Sequence, residues 1–151
     1  MYDTVNRIQS NMDMKLFSCG VFIDLQKAFD SVDHEILLRK LHHYGIRGIV
    51  NDWFASYLIG RYQTTQIGLY ISDKENTLCG VPQGSVLGPL LFLVYVNDMH
   101  YASSKLMFYL FADDTNLLYA HKDLKMLESV VNAELLNVVE WLTVNSILNA
   151  R

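Results

Sequence analysis

The sequence predicts an α+β fold in which an antiparallel sheet is covered by helices on one face. Three observations carry this reading. Two stretches rich in β-branched and aromatic residues, LFSCGVFIDL (16–25) and KLMFYLFADDTNLLYA (105–120), have the composition of strands. Stretches with apolar residues three or four positions apart lie between and after them, at 34–44, 48–60 and 122–142. A helix pair falls between the strand-like segments in place of a strict strand–helix alternation, which favours a sheet with its helices segregated to one side.

The elements follow in order. The opening MYDTVNRIQSNMDMK (1–15) has no apolar core of the kind a secretory signal needs. Residues 16–25 read as a buried strand ending in Asp24. Ser31 or Asp33 can cap a helix through HEILLRKLHHY (34–44), with Ile36, Leu37, Leu41 and Tyr44 on one side and Gly45 as its stop. In GIVNDWFASYLIG (48–60), Ile49, Trp53 and Tyr57 fall four apart and share a helix face. RYQTTQIGLYISDKENTLCG (61–80) alternates like a hairpin turning near Asp73–Asn76. GVPQG (80–84) is loop, and Ser85 opens a largely apolar, hence buried, helix to about Asn97. Residues 105–120 form a second hairpin with Asp113 and Asp114 at its bend. The last segment spaces Leu124, Leu127, Val131, Leu135, Val138 and Leu142 by three and four, an amphipathic helix that packs on a sheet or another helix. Among the histidines, His34, His42 and His43 read as solvated helix residues, and Asp30 as a turn residue.

Composition bounds the function. At 151 residues, 51% of them hydrophobic, the chain is about one domain with enough apolar mass for a core. Its longest greasy run, VLGPLLFLVYV (86–96), is too short to span a bilayer and contains Pro89, so no membrane partner is expected. Cys19 and Cys79 show no metal-ligand spacing and read as reduced core thiols in an intracellular protein, cytoplasmic or nuclear. A net charge of −4 weighs against a free-standing nucleic-acid binder, which usually carries a basic face.

The acids need a reason. With 11 Asp in the chain, roughly 0.8 Asp-Asp dipeptides are expected by chance, and a polar hairpin tip explains the pair on its own. Asp24, however, ends another strand. If the two strand systems pair, Asp24, Asp113 and Asp114 converge. Clustered carboxylates repel and resist ionising unless a cation joins them. Hard Mg²⁺ suits carboxylate oxygens and keeps positions open for phosphate. Two such ions are the equipment of nucleotidyl transfer.

The chain resembles the reverse transcriptases of non-LTR (LINE-type) retrotransposons. Three blocks carry the resemblance in the right order: VFIDLQKAFDSVDHEILLRKL (21–41), GVPQGSVLGPLLFLVYVNDM (80–99) and FADDT (111–115), with EWLTVNSILNA (140–150) similar to the next segment. The resemblance implies a polymerase palm with its antiparallel sheet backed by helices, plus part of the fingers. It implies a single partial domain, with about 16–33 and 80–150 as palm and about 34–79 as a fingers-like insertion; the full fingers and thumb are expected in regions outside this chain. It implies RNA-templated DNA synthesis with two Mg²⁺ ions, for which Mn²⁺ can substitute, and as partners an RNA template, a DNA primer, deoxynucleoside triphosphates and those absent regions.

Residue by residue, the resemblance makes Asp24, Asp113 and Asp114 the catalytic metal ligands, Asp113 the firmer of the pair. Phe29 matches the aromatic that excludes a ribose 2′-hydroxyl. Gln83 matches the residue beside the template and incoming base, Gly84 lets backbone approach the duplex, and Leu25 joins them at the nucleotide. Phe111 stands where a Tyr is more usual, and Lys27 lies near the metal site. Two other readings stay open: another palm-type polymerase, or an inactive or repurposed remnant acting as a binding module.

Overall fold

The computed structural model describes residues 2–25, 27–111 and 114–147. In chain order the elements are α1 (Tyr2–Asp13), β1 (Phe17–Asp24), α2 (His34–His43), α3 (Ile49–Leu58), the two-residue strands β2 (Tyr62–Gln63), β3 (Gln66–Ile67), β4 (Tyr70–Ile71) and β5 (Glu75–Asn76), α4 (Leu87–Val96), β6 (Met107–Phe111), β7 (Asp114–His121) and α5 (Leu124–Val144). Single 3₁₀ turns lie at Ala28–Asp30 and Met99–Ala102. This is the mixed helical and antiparallel-sheet architecture the sequence predicts. Among the described residues no helix is long and apolar enough to cross a membrane. The chain divides into two compact units, Met1–Gln26 with Asn97–Val144, and Lys27–Val96 with Asn145–Arg151.

The first unit is built on a three-stranded antiparallel sheet in the order β1-β7-β6. The central strand β7 buries Thr115, Leu117 and Leu118. The edge strand β1 does not match the buried strand its composition suggests. Its residues alternate between exposed and half-buried, and Phe22 is 75% exposed. Successive side chains of a strand point to opposite faces, and Ser18, Gly20, Phe22 and Asp24 share the exposed one. Cys19 is half-buried and Cys79, in the second unit, is exposed, so neither thiol lies in the core as expected. Helix α5 packs on β7 and β1 through Leu127, Val131, Val138 and Leu142, as its spacing predicts.

Two positions of that predicted stripe differ. Leu124 is exposed and Leu135 only half-buried, while Glu134 turns inward. Its carboxylate accepts from Ser103 Oγ (2.7 Å) and pairs with Lys105 Nζ (3.0 Å), and Ser103 Oγ in turn accepts from the amides of Lys105 and Leu106. The hydrogen bond from Ser103 and then Lys105 hold the Glu134 carboxyl below its usual range, against the opposing push of desolvation. A buried polar group fully provided with partners is tolerated where a bare one is not. Helix α1 was not foreseen. It lies against β1, with Asn11 Nδ2 donating to Ser18 Oγ at 3.0 Å. Its inward positions are Thr4, Ile8 and Asn11, two of them polar, so apolar periodicity could not reveal it.

In the second unit, Asp33 caps α2 by accepting from the Ile36 amide at 2.9 Å, and Leu37 and Leu41 are buried against α3 and α4. Gly45, at φ +94°, ends the helix, with the Ile46 amide returning to Leu41 O at 2.9 Å. On α3, Trp53 and Tyr57 stack at 5.6 Å on the expected face. The predicted turn at Asp73–Asn76 is wrong. β3 pairs with β4 around Gly68 and Leu69, and β2 pairs with β5 outside them, so Glu75 and Asn76 are strand. Gly68 takes φ +61°, which a tight two-residue turn requires and Asp73 would not supply as readily. Ser85 Oγ accepts from the Gly88 amide at 2.9 Å at the start of α4. That helix buries Leu91, Phe92, Tyr95 and Val96 but leaves Leu90 and Leu93 exposed, so it is not enclosed all round as its composition suggests. The Tyr95 hydroxyl accepts from the Asp33 amide (3.2 Å) and donates to Asn145 O (2.5 Å).

Candidate active site

The register of the first unit's sheet sets the acids. β1 and β7 run antiparallel with Asp24 directly opposite Asp114. Directly opposed residues put their Cβ atoms about 4.5–5.5 Å apart on one face, and like charges so placed are destabilising. On β6, Phe111 is the partner of Asp114. One row across the sheet therefore reads Asp24, Asp114, Phe111, the adjacent row reads Ile23, Thr115, Leu110, and the next row on the same face as the acids reads Phe22, Asn116, Tyr109. Asp24 and Asp114 are exposed, and among the described residues neither carboxylate has a hydrogen bond or an ion pair. Asp113 lies outside the described residues. Among the described ones, no group of three or more His, Cys, Asp or Glu is gathered as a metal site. The chemistry of the opposed pair nonetheless fits a hard divalent cation: two anionic oxygen donors, facing one another, uncompensated and open to solvent.

The other predicted site residues belong to the second unit, except Leu25, which follows β1 and is buried. Phe29 sits in the 3₁₀ turn, half-buried, its ring 4.8 Å from that of Phe92. The turn is fastened to the 80–84 loop. The Gly80 amide donates to Val32 O (2.7 Å), the Val81 amide donates to Phe29 O (2.8 Å), and Asp33 bridges Cys79. A Cβ on Gly80 would lie 2.9 Å from Asp30 Cα, so only glycine allows the two backbones to meet. His34 completes the junction. It is buried, not solvated, and its Nε2 lies 2.8 Å from Gly80 O, which makes that nitrogen the protonated one. His42 and His43 are exposed as expected. Beyond the junction, Gln83 is exposed and its Nε2 donates to Asp30 Oδ1 at 2.8 Å. Gly84 takes φ +79° with open space where a Cβ would be. Lys27, also exposed, holds a left-handed conformation at φ 52° that is unusual for a lysine.

The reverse transcriptase (RNA-dependent DNA polymerase) family profile matches residues 3–146. The chain belongs to that family. It is 34% identical over 129 residues, 79% of its own length, to a probable RNA-directed DNA polymerase from transposon X-element of Drosophila melanogaster. It is 31% identical over 134 residues, 82% of its length, to the RNA-directed DNA polymerase from mobile element jockey of the same fly. A stretch of 79 residues is 32% identical to a retrovirus-related Pol polyprotein from type-1 retrotransposable element R2 of Popillia japonica. These relatives place it with the non-LTR reverse transcriptases. The chain spans only 13–14% of their length.

For a reverse transcriptase chain, sequence motifs located the acids and the loop but missed what joins Phe29 to Gln83. Asp30 reads as a turn residue and His34 as a surface histidine, yet both touch the 80–84 loop. Their partners lie 53 and 46 positions away, and no local spacing signals such a contact.

Proposed function

We propose that this chain is the palm-centred part of an RNA-directed DNA polymerase of a non-LTR retroelement, with about 34–79 as its fingers-like piece. Asp24, Asp113 and Asp114 would hold two Mg²⁺ ions, with Mn²⁺ as a substitute. The observation that carries this reading is the uncompensated Asp24–Asp114 pair at the sheet end, beside the Asp113 that the resemblance assigns to the site. Such ions lower the cost of the negative charge that develops on the attacking and leaving oxygens during nucleotidyl transfer. The chain's own residues do the rest. The carboxylates keep a fixed anionic patch for the ions. The Phe29 ring, braced by Phe92, occupies the space a 2′-hydroxyl would need. Gln83 presents an amide to the template and incoming base, and the open flank of Gly84 lets the duplex come close to backbone. Leu25, with its side chain buried, contributes to the nucleotide site through its backbone. The substrates are an RNA template, a DNA primer and deoxynucleoside triphosphates. The 12 Lys and Arg of this chain are outnumbered by 16 Asp and Glu, so the fingers and thumb regions of the parent protein would supply the further basic residues that hold phosphate.

The test is primer extension on an RNA template by the complete parent protein. Asp24→Asn is expected to abolish nucleotide addition with the fold intact, because it removes charge from an exposed site and no core packing. If the variant kept a tenth of the wild-type rate with Mg²⁺, the metal assignment would fail. Tight binding of primer–template without any wild-type extension would favour the binding-module reading.

A further inference from the structure

We infer that Asp30 is a positioning residue for Gln83, fixing which end of its amide faces the nucleotide; this rests on the polymerase reading above. The geometry is specific. Asp30 Oδ1 lies 2.8 Å from the Gln83 side-chain amide, and an ionised carboxylate can only accept hydrogen bonds. The atom facing it must therefore be Nε2. With Nε2 committed to Asp30, the free edge of Gln83 offers the carbonyl Oε1 and one remaining N–H in a set arrangement. An unconstrained glutamine flips between two edges of opposite polarity and must lose that freedom on binding.

Asp30 can perform this task because its own backbone is immobilised. The turn that carries it is hydrogen-bonded to Gly80 and Val81 on both sides, and Asp30 Cα is the atom a Gly80 side chain would strike. Asp30 and Gln83 also line one cavity of about 360 Å³ together with Arg61 and Thr77, so the fixed amide edge borders space large enough for part of a nucleotide. The same turn supplies Phe29. The group expected to sense the sugar, Phe29, is thus the chain neighbour of Asp30, and Asp30 holds the group expected to sense the base, Gln83, by a direct hydrogen bond. A charge-assisted bond at this distance is stronger than a neutral one, though its exposure reduces its value.

Two measurements test this. The first uses the parent protein in RNA-templated extension, comparing Asp30→Ala, Gln83→Ala and the double variant. Asp30→Ala is expected to raise KM for the nucleotide about 5-fold with kcat nearly unchanged, the scale of one modest hydrogen bond. Asp30→Asn, which keeps an acceptor oxygen, is expected to recover most of the loss. In the Gln83→Ala background, Asp30→Ala should add nothing. Fully additive losses, or an Asp30→Ala effect confined to kcat, would overturn the inference while leaving the polymerase reading intact. The second needs no activity. In the 151-residue chain, the two Gln83 side-chain amide protons are expected to give dispersed NMR signals that move to free-glutamine positions in Asp30→Ala. Signals at free-glutamine positions in the wild type would refute the bond itself, whether or not the parent polymerises.

Discussion

Gly80 and Gly84 allow the junction between the 3₁₀ turn and the loop to be tested against an internal control. Both have left-handed backbones, φ +87° and +79°. They differ in surroundings: Gly80 is buried with its amide bonded to Val32 O, and Gly84 is exposed. A Cβ at Gly80 would meet Asp30 Cα at 2.9 Å and the carbonyl oxygens of Asp30 and Phe29 at 3.1 Å, whereas one at Gly84 meets nothing within 4 Å. A left-handed alanine costs about 1–2 kcal/mol through backbone strain, and that is the whole expected cost of Gly84→Ala. Gly80→Ala adds displacement of backbone held by two hydrogen bonds, at 2.7 and 2.8 Å. Each is worth about 0.5–1.5 kcal/mol, so the total comes to about 2–5 kcal/mol. For a domain of this size, each kcal/mol moves Tm by about 2–4 °C. Urea and thermal unfolding of the two variants, with amide exchange at positions 80 and 81, measure the difference. Equal losses for the two alanines would refute the close approach of loop and turn.

Two further outcomes follow from the site and from Glu134. Because the folded-state Glu134 carboxyl titrates below its ordinary range, its ionised form stabilises the fold. That contribution is present above the unfolded-state value and is lost as pH falls through the folded one. Glu134→Gln is therefore expected to lower Tm at neutral pH and to flatten its acid-side fall; a Tm–pH curve parallel to the wild type's would count against the Ser103–Glu134–Lys105 cluster. In the parent protein, Phe29→Val is expected to admit ribonucleotides, read as the ratio of ribo- to deoxynucleotide incorporation, and an unchanged ratio would remove Phe29 from the nucleotide site.

Elements whose apolar residues repeat on one face were legible in the sequence, as was anything marked by a dedicated side chain. Leu37 and Leu41 with the Asp33 cap located α2, and Leu127, Val131, Val138 and Leu142 located α5. What escaped depended on contacts remote in sequence or on polar residues turned inward. Helix α1 presents Thr4 and Asn11 to its neighbour, Glu134 took the place read for Leu135, and His34 was buried by a carbonyl 46 residues away. The hairpin turn was misplaced because Asp73–Asn76 has the more turn-like composition, while Gly68 has the positive φ. Within the candidate site, the sequence brings Asp24, Asp113 and Asp114 together only if two strands pair; β1 and β7 do pair, in a register that sets Asp24 opposite Asp114 and that the motifs do not specify. Partners of Phe29 and Gln83 were beyond reach, since a motif names residues but not what braces them.

The claim that the opposed acids form a divalent-cation site is tested most directly by titrating Mn²⁺ into the isotope-labelled 151-residue chain. Paramagnetic broadening is read residue by residue. The amide signals of Ile23, Asp24, Asp114 and Thr115, partners across β1 and β7, are expected to vanish first. Asp24→Asn should then require about tenfold more Mn²⁺ for the same loss, equivalent to about 1.4 kcal/mol. Broadening that begins at exposed acids elsewhere, such as Asp52 or Glu128, or that is unchanged in Asp24→Asn, would contradict it.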